Sequence, residues 1–495
     1  MHMYERKIYH LLKLLNKEEQ RIFSDFLVSP LFKPSPVMQE FFHLWQKKIL
    51  DQTAAEQQEL SPEEFLKGSD LAVSRMDKYC SRLYKKFLDF IAFRQYQIDN
   101  SRQLESVVTG LEQQAAPQKE LDAQRRRLKS DIDKGGHSSV QYLRKLQFKW
   151  RAVEARVTSR QTQSVWQEDF QDLQKEVDRY YRLQKLKLIL AAENSRMIYN
   201  QNETQQEDGF EDFLPEMDDE TAKNLLGPLA YSYWLTVRLY RSQGGAEVFD
   251  KLFDHLQQES GEFEQQERRE IFNYALNYCL RRGNKGELLY QEHAAKLYRE
   301  LLENGTILKD GKLTPQEMKN IVVIQCVVGN LDWVADFLNE YKNRLQGGPN
   351  RHIIQYNRAV LAFYKKDRHC IELLKTVISH LKDDVFYQLD ARIYLLKAYY
   401  QHLDSLSMEE TDEMYRMYDS FRIFIDRNDK ISHAHKLGYR SFLSEFRRFL
   451  KLLGESHGEP ELKRLLALKQ KIGSEEYMAN KSWFLKTLAK YIDRY

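Results

Sequence analysis

Two stretches set potentially reactive side chains side by side. His369 and Cys370 are adjacent and are the residue types of a nucleophilic thiolate and its base, while His433-Ala434-His435 offers two imidazoles of the kind that ligate metals. Spacing argues against both uses. Neighbouring residues on a helix diverge by about 100°, and residues i and i+2 point to nearly opposite sides, so neither pair converges on one atom. Cys370 heads an apolar stripe with Leu373, Leu374 and Val377 and reads as a core thiol, as do Cys279 and Cys326. The histidine pair reads as a surface or helix-start feature. Asp383-Asp384 and Asp218-Asp219-Glu220 lack a convergent partner and read as helix caps or loop solvation. There is no HExxH, GxSxG, phosphate-binding P-loop or calcium-loop motif. No catalytic residue, cofactor or metal ligand is therefore assigned, and the expected activity is binding without catalysis.

Binding chemistry has two candidates. Residues 201–220, QNETQQEDGFEDFLPEMDDE, hold nine acidic residues and no basic one. This composition suits a solvated linker; its sharper reading is an acidic arm in which Phe210, Phe213 and Leu214 dock on a partner or on the chain itself. Residues 421–495 carry 16 Lys or Arg against 9 Asp or Glu, with aromatics interleaved in FRRFLKLL, where Arg447, Arg448 and Lys451 are the candidate contacts. That is the composition of a phosphate-tracking face. Leu443, Phe446, Phe449 and Leu450 nevertheless sit at core spacing, which makes the basic residues a solvated outer face. The formal net charge of +3 implies no general attraction to nucleic acid.

The elements that must position these residues are helices. A chain of 495 residues exceeds one compact core, and its 20 Gly and 10 Pro are too few for a turn-rich β fold. Capping boxes mark helix starts at Asn16/Glu19, Ser61/Glu64 and Thr314/Glu317, and Ser35-Pro36 opens another helix. The Thr314 box makes NIVVIQCVV, the one strand-like segment, a buried helix. One long helix is expected over Ser69 to Asn100. A core-facing stripe is expected at Leu143, Leu146, Trp150 and Val153, and a helix packed on both sides around Val177 to Glu193. The longest apolar run, Ile321 to Val328, falls short of a membrane span. Four scattered cysteines and the absence of a signal-peptide pattern at the start suit a cytoplasmic protein.

Beyond residue 220 the rhythm is helix, short turn, helix. Gly245, Asn284, Asn330 and Asp367 mark turns at intervals of 39, 46 and 37 residues, the longest containing the polar insertion ENGTILKDGKL. In VVGNLDWVADFLNEY, Gly329 permits the turn, Asn330 caps the second helix, and Trp333, Val334, Phe337 and Leu338 form its packing face. Ala294 followed by Tyr298, and Asn357-Arg358-Ala359-Val360-Leu361 followed by Phe363-Tyr364, resemble the tetratricopeptide helical repeat. Asn339 stands where that repeat has an aromatic after Ala335, and its Trp, Gly and Pro positions are mostly absent. The layout, carried by EEQRIFSDFLVSPLFKPSP and VDRYYRLQKLKLILAAEN, is also similar to that of a group of all-helical Bacteroidota proteins without an assigned function.

The expectation is an all-α protein of irregular helical-pair repeats, a tetratricopeptide-like α-solenoid. Its parts are an N-terminal helical module (1–100), helical pairs (101–200), an acidic linker (201–220) and the repeats (221–495). The resemblance implies a scaffold or adaptor that binds a peptide or protein segment. The alternative is a regulatory subunit whose basic C-terminal half contacts nucleic acid.

Overall fold

The computed structural model describes residues 3–51, 60–158, 164–199, 218–241, 245–284, 287–347, 350–380, 384–454, 459–475 and 478–493. Among them every extended element is a helix, and backbone pairing outside helices is limited to isolated bridges such as Leu313 with Leu345. The chain divides into two compact units, Met1–Gly135 and Gly136–Tyr495.

The first unit contains α1 (Lys7–Leu12), α2 (Lys17–Val28), α3 (Pro36–Trp45), α4 (Pro62–Leu66), α5 (Met76–Ile98), α6 (Asn100–Gln113) and α7 (Gln118–Lys134). The capping boxes at Asn16/Glu19 and Ser61/Glu64 form as expected. Ser35 precedes α3 without a side-chain cap bond, and Pro36 alone sets that start. The expected long helix is shorter: it begins at Met76, after Leu71, and ends at Asp99, whose side chain caps α6. Its stripe of Tyr79, Leu83, Phe87 and Phe90 packs on α2 and α3, with Phe23 and Phe42 edge to face at 4.9 Å.

The second unit opens with α8 (Ser139–Thr158), α9 (Ser164–Tyr199), α10 (Asp219–Tyr240), α11 (Gly245–Glu259) and α12 (Gln265–Asn284). The stripe expected on α8 does not face the core. Trp150 is 52% exposed, with its indole N–H donating to Glu154, while Gln141 and Tyr142 are the buried residues. On α9, Leu183, Leu186, Ile189 and Leu190 are buried and the helix packs on both α8 and α10, as expected, while Tyr181 and Leu188 face solvent. Asp218 caps α10, whose axis breaks at Gly227 (φ +73°) and Pro228; the side chain of His255 meets the Pro228 carbonyl at 2.9 Å.

The remaining helices are α13 (Leu288–Glu303), α14 (Pro315–Val327), α15 (Leu331–Tyr341), α16 (Arg351–Tyr364), α17 (Cys370–His380), α18 (Val385–Gln401), α19 (Met408–Arg427), α20 (His433–Gly454), α21 (Glu459–Ser474) and α22 (Lys481–Ile492), each packed against neighbours in the chain. NIVVIQCVV lies in α14, with both bonds of its capping box made: Thr314 N–H to Glu317 at 2.8 Å and Glu317 N–H to Thr314 Oγ1 at 3.1 Å. Thr314→Ala is expected to lower the unfolding free energy by about 1 kcal/mol in denaturant titration, with Thr314→Ser nearly silent. Gly329 takes φ +89° as expected, and Val334, Phe337 and Leu338 are buried. Asn330 does not cap α15. Its amide instead donates to Gln325 Oε1 at 2.7 Å, which is pulled back toward α14 because Gln325 is fully buried and needs partners. Some contacts reach well beyond neighbouring helices: Ser139 at the start of α8 bonds Glu267 of α12, and α22 packs on α12, almost two hundred residues earlier.

Candidate binding cavity

Cys279, Cys326 and Cys370 are buried, all four cysteines are free, and burial pushes the Cys326 and Cys370 thiols up to about 12. His369 is exposed and turned away from Cys370's environment, and His435 bonds Ser432 at the start of α20. Asp384 caps α18. Among the described residues no group of three or more His, Cys, Asp or Glu is arranged to hold a metal ion.

The structure instead assembles a cavity of about 900 Å³ in the second unit. Its walls come mainly from four helices and the segment around α22. α14 supplies Lys319 and Val323, α16 supplies Tyr356, Phe363 and Tyr364, α18 supplies Asp390, Tyr394 and Lys397, and α20 supplies His435 and Tyr439. The segment ahead of α22 and α22 itself bring Asn480, Trp483, Lys486 and Lys490 across the opening. Gln291 holds that crossing in place. It donates to Ser482 Oγ at 3.3 Å and to the Gly283 carbonyl at 3.1 Å, and accepts from Lys486 Nζ at 3.3 Å.

Lys397 is the chemically unusual residue. It lies in IYLLKAYY, on a helix buried nearly all round, and is only 1% exposed. Its amine donates to Asn480 Oδ1 and lies over the rings of Tyr394 (4.9 Å) and Trp483 (5.1 Å). Asn480 takes a left-handed backbone (φ +56°), tolerable for Asn, at the entry to α22. Asp390 is committed elsewhere, to Lys319 at 2.6 Å. Burial outweighs the pull of Asp390 and lowers Lys397 to about 7. Tyr356 is fully buried and its hydroxyl has no hydrogen-bond partner; burial, then Asp390, raises it far above the usual phenol value. Lys486 is lowered by burial and by Lys490, one helical turn away.

Of the residues singled out by composition, Arg447, Arg448 and Lys451 are brought together. All three are exposed and line a shallower depression of about 530 Å³ with Tyr418, Arg422 and Arg440. The Arg447 guanidinium sits 5.7 Å from the Tyr418 ring, and Arg440 bonds Asp426 at 2.6 and 2.9 Å. Behind them Leu443, Phe446 and Phe449 are buried as expected. Phe210, Phe213 and Leu214 lie outside the described residues. Lys397 escaped sequence reasoning, although a lysine inside an uninterrupted apolar helix run is itself a signal, because lysine is almost never fully buried without cause.

No family model, curated protein or solved structure matches this chain, so the tetratricopeptide resemblance rests on its residues alone. No helix among the described residues is long and apolar enough to cross a membrane.

Proposed function

We propose that this protein is a non-catalytic interaction scaffold of the tetratricopeptide-like α-solenoid type, and that its second unit binds a peptide or protein segment. The observation that carries the reading is the cavity of about 900 Å³, whose walls are contributed by α14, α16, α18 and α20 in succession. Regular recurrence of helix pairs sets like helices side by side, which is how repeat proteins generate a binding surface. The lining supports it: aromatic and aliphatic side chains alternate with lysines and amides, the mixture that anchors and orients a bound segment.

A photo-crosslinking amino acid in place of Tyr439 tests the reading in extracts of the native host. Peptides crosslinked from this position, and absent when the same group replaces the exposed Leu31, are the expected result. Identical crosslinks from both positions would remove the cavity as the binding surface.

A second reading has its own observation, the depression lined by Arg422, Arg440, Arg447, Arg448 and Lys451 together with Asp426, where Arg448 also pairs with Glu445 at 4.0 Å. There the protein would act as a regulatory subunit on nucleic acid. Binding to a generic single strand should then weaken steeply with salt, the log–log slope growing by about 0.7 for each phosphate neutralised. Lack of binding at low salt eliminates this alternative.

A further inference from the structure

The cavity's charges are unbalanced in a way that specifies an occupant. Lys486 and Lys490 stand at i and i+4 on α22, where like charges repel, and among the described residues neither is in an ion pair. Deeper, among the described residues Lys397 has the neutral Asn480 as its one hydrogen-bond partner and the Tyr356 hydroxyl has none. The single acidic lining residue, Asp390, is neutralised by Lys319. A buried hydroxyl without a partner and an amine without a carboxylate are both costly unless something is bound.

We propose that this cavity recognises an acidic peptide segment, whose side-chain carboxylates are received by Lys486 and Lys490 at the mouth and by Lys397 and the Tyr356 hydroxyl at the floor. The inference rests on the reading of the second unit as a peptide-binding surface and names the chemistry of what it binds. Charge complementarity selects an acidic partner, while Trp483, Tyr439 and Val323 offer packing for an aromatic or aliphatic residue within it. A nucleic-acid strand fits less well: Lys397 and Tyr356 are 1% and 0% exposed, whereas strand-binding proteins present their cations along an open groove.

Occupancy carries a proton signature. Lys397 faces Asp390 and Tyr394 on its own helix, Lys319 from α14, Tyr356 and Tyr364 from α16, His435 and Tyr439 from α20, and Lys486 and Lys490 from α22. Asp390, already held by Lys319, is the only carboxylate there among the described residues, so burial leaves the Lys397 amine mostly neutral at pH 8 in the free protein. A carboxylate arriving beside it restores the charged form, so binding at pH 8 takes up a proton at Lys397.

The test uses the full chain with a fluorescent short peptide of glutamates around one Phe and one Leu, the same peptide with Gln for Glu, and oligo(dT). The Glu peptide is expected to bind saturably, at least about tenfold tighter than the Gln peptide and tighter than oligo(dT). Lys397→Met is expected to weaken it about tenfold and to abolish proton uptake in calorimetry run in two buffers of different ionisation enthalpy. Lys490→Glu, at the exposed position of the pair on α22, weakens it without touching the buried floor. Equal binding of the Glu and Gln peptides overturns the charge recognition while leaving a peptide surface in place. Preference for oligo(dT), or no binding of either peptide, overturns both. Proton uptake that persists in Lys397→Met removes Lys397 from the site.

Discussion

Replacing Glu267 with alanine lowers the unfolding free energy of the second unit by about 3 kcal/mol or more, because it strands groups that were buried together. The Glu267 carboxylate is 5% exposed and accepts four hydrogen bonds: from Ser139 N (3.0 Å), Ser139 Oγ (2.7 Å), the Tyr233 hydroxyl (2.7 Å) and Lys187 Nζ (2.8 Å). Four helices meet at it, since Ser139 opens α8, Lys187 lies on α9, Tyr233 on α10 and Glu267 in the first turn of α12. Burial by itself would raise this carboxyl, but Lys187, Tyr233 and Ser139 outweigh it and hold it below the usual glutamate value. The sign follows: the contribution is fully present above the ordinary glutamate pKa and is lost as pH falls through the lower folded value. Urea titration at pH 7 should show the loss, and the gap between wild type and Glu267→Ala should close under acid conditions. Lys187 keeps Glu270 at 3.0 Å, so Lys187→Met alone costs a comparable amount by leaving Glu267 without its cation. The double variant Glu267→Leu/Lys187→Met should recover much of either loss, since a buried pair is replaced by packing rather than broken. A single-variant loss below about 1 kcal/mol would show that these helices are held by apolar packing alone.

How much of this was legible in the sequence depends on the range of the interaction. Local rules worked where the partners are three or four residues apart. The Thr314, Asn16 and Ser61 boxes, the positive φ at Gly329 and the buried Cys370 stripe all lie within one helical turn of the residues that define them. Turn markers at Gly245, Asn284, Asn330 and Asp367 each fall at a helix end or between two helices. The failures were cases where apolar spacing was right but the covering element was not known. Trp150 is on a helix, but its ring stands 52% exposed while Leu143, Leu146 and Val153 are only half-buried. Asn330 sits at the joint, but a buried Gln325 competes for its amide more strongly than the helix start does. The cavity was invisible for the same reason on a larger scale. Lys397 meets Asn480 across 83 residues, and Gln291 meets Ser482 across 191. No periodicity encodes such pairings; only the return of α22 to α12 creates them. The basic patch at Arg447, Arg448 and Lys451 was found because its residues share one helix, and it is the shallower of the two sites.

The second large effect is a pH dependence that belongs to Lys397. An unfolded lysine titrates at 10.5, whereas burial holds Lys397 at about 7 in the folded chain. Below pH 7 both states are protonated, and the cost of burying the charge is fully present. Between about 7 and 10.5 the unfolded state keeps a proton that the folded state has released, so unfolding takes up a proton and becomes less favourable as pH rises. Stability attributable to this residue therefore increases with pH across that window, at about 1.4 kcal/mol per pH unit and about 5 kcal/mol in all. Tyrosines such as Tyr356 and Tyr394 are raised by burial and act with the opposite sign in alkali, but they are common to wild type and variant and cancel in the difference. The measurement is the unfolding free energy of wild type minus that of Lys397→Met at successive pH values. The methionine variant should be the more stable protein at pH 6, where an uncompensated buried charge has been replaced by packing. The difference should shrink steadily above pH 7 as the wild-type amine loses its charge on folding. Parallel pH profiles for the two proteins would mean that Lys397 stays charged at the cavity floor, balanced by Asn480, the rings of Tyr394 and Trp483, and the Asp390 field.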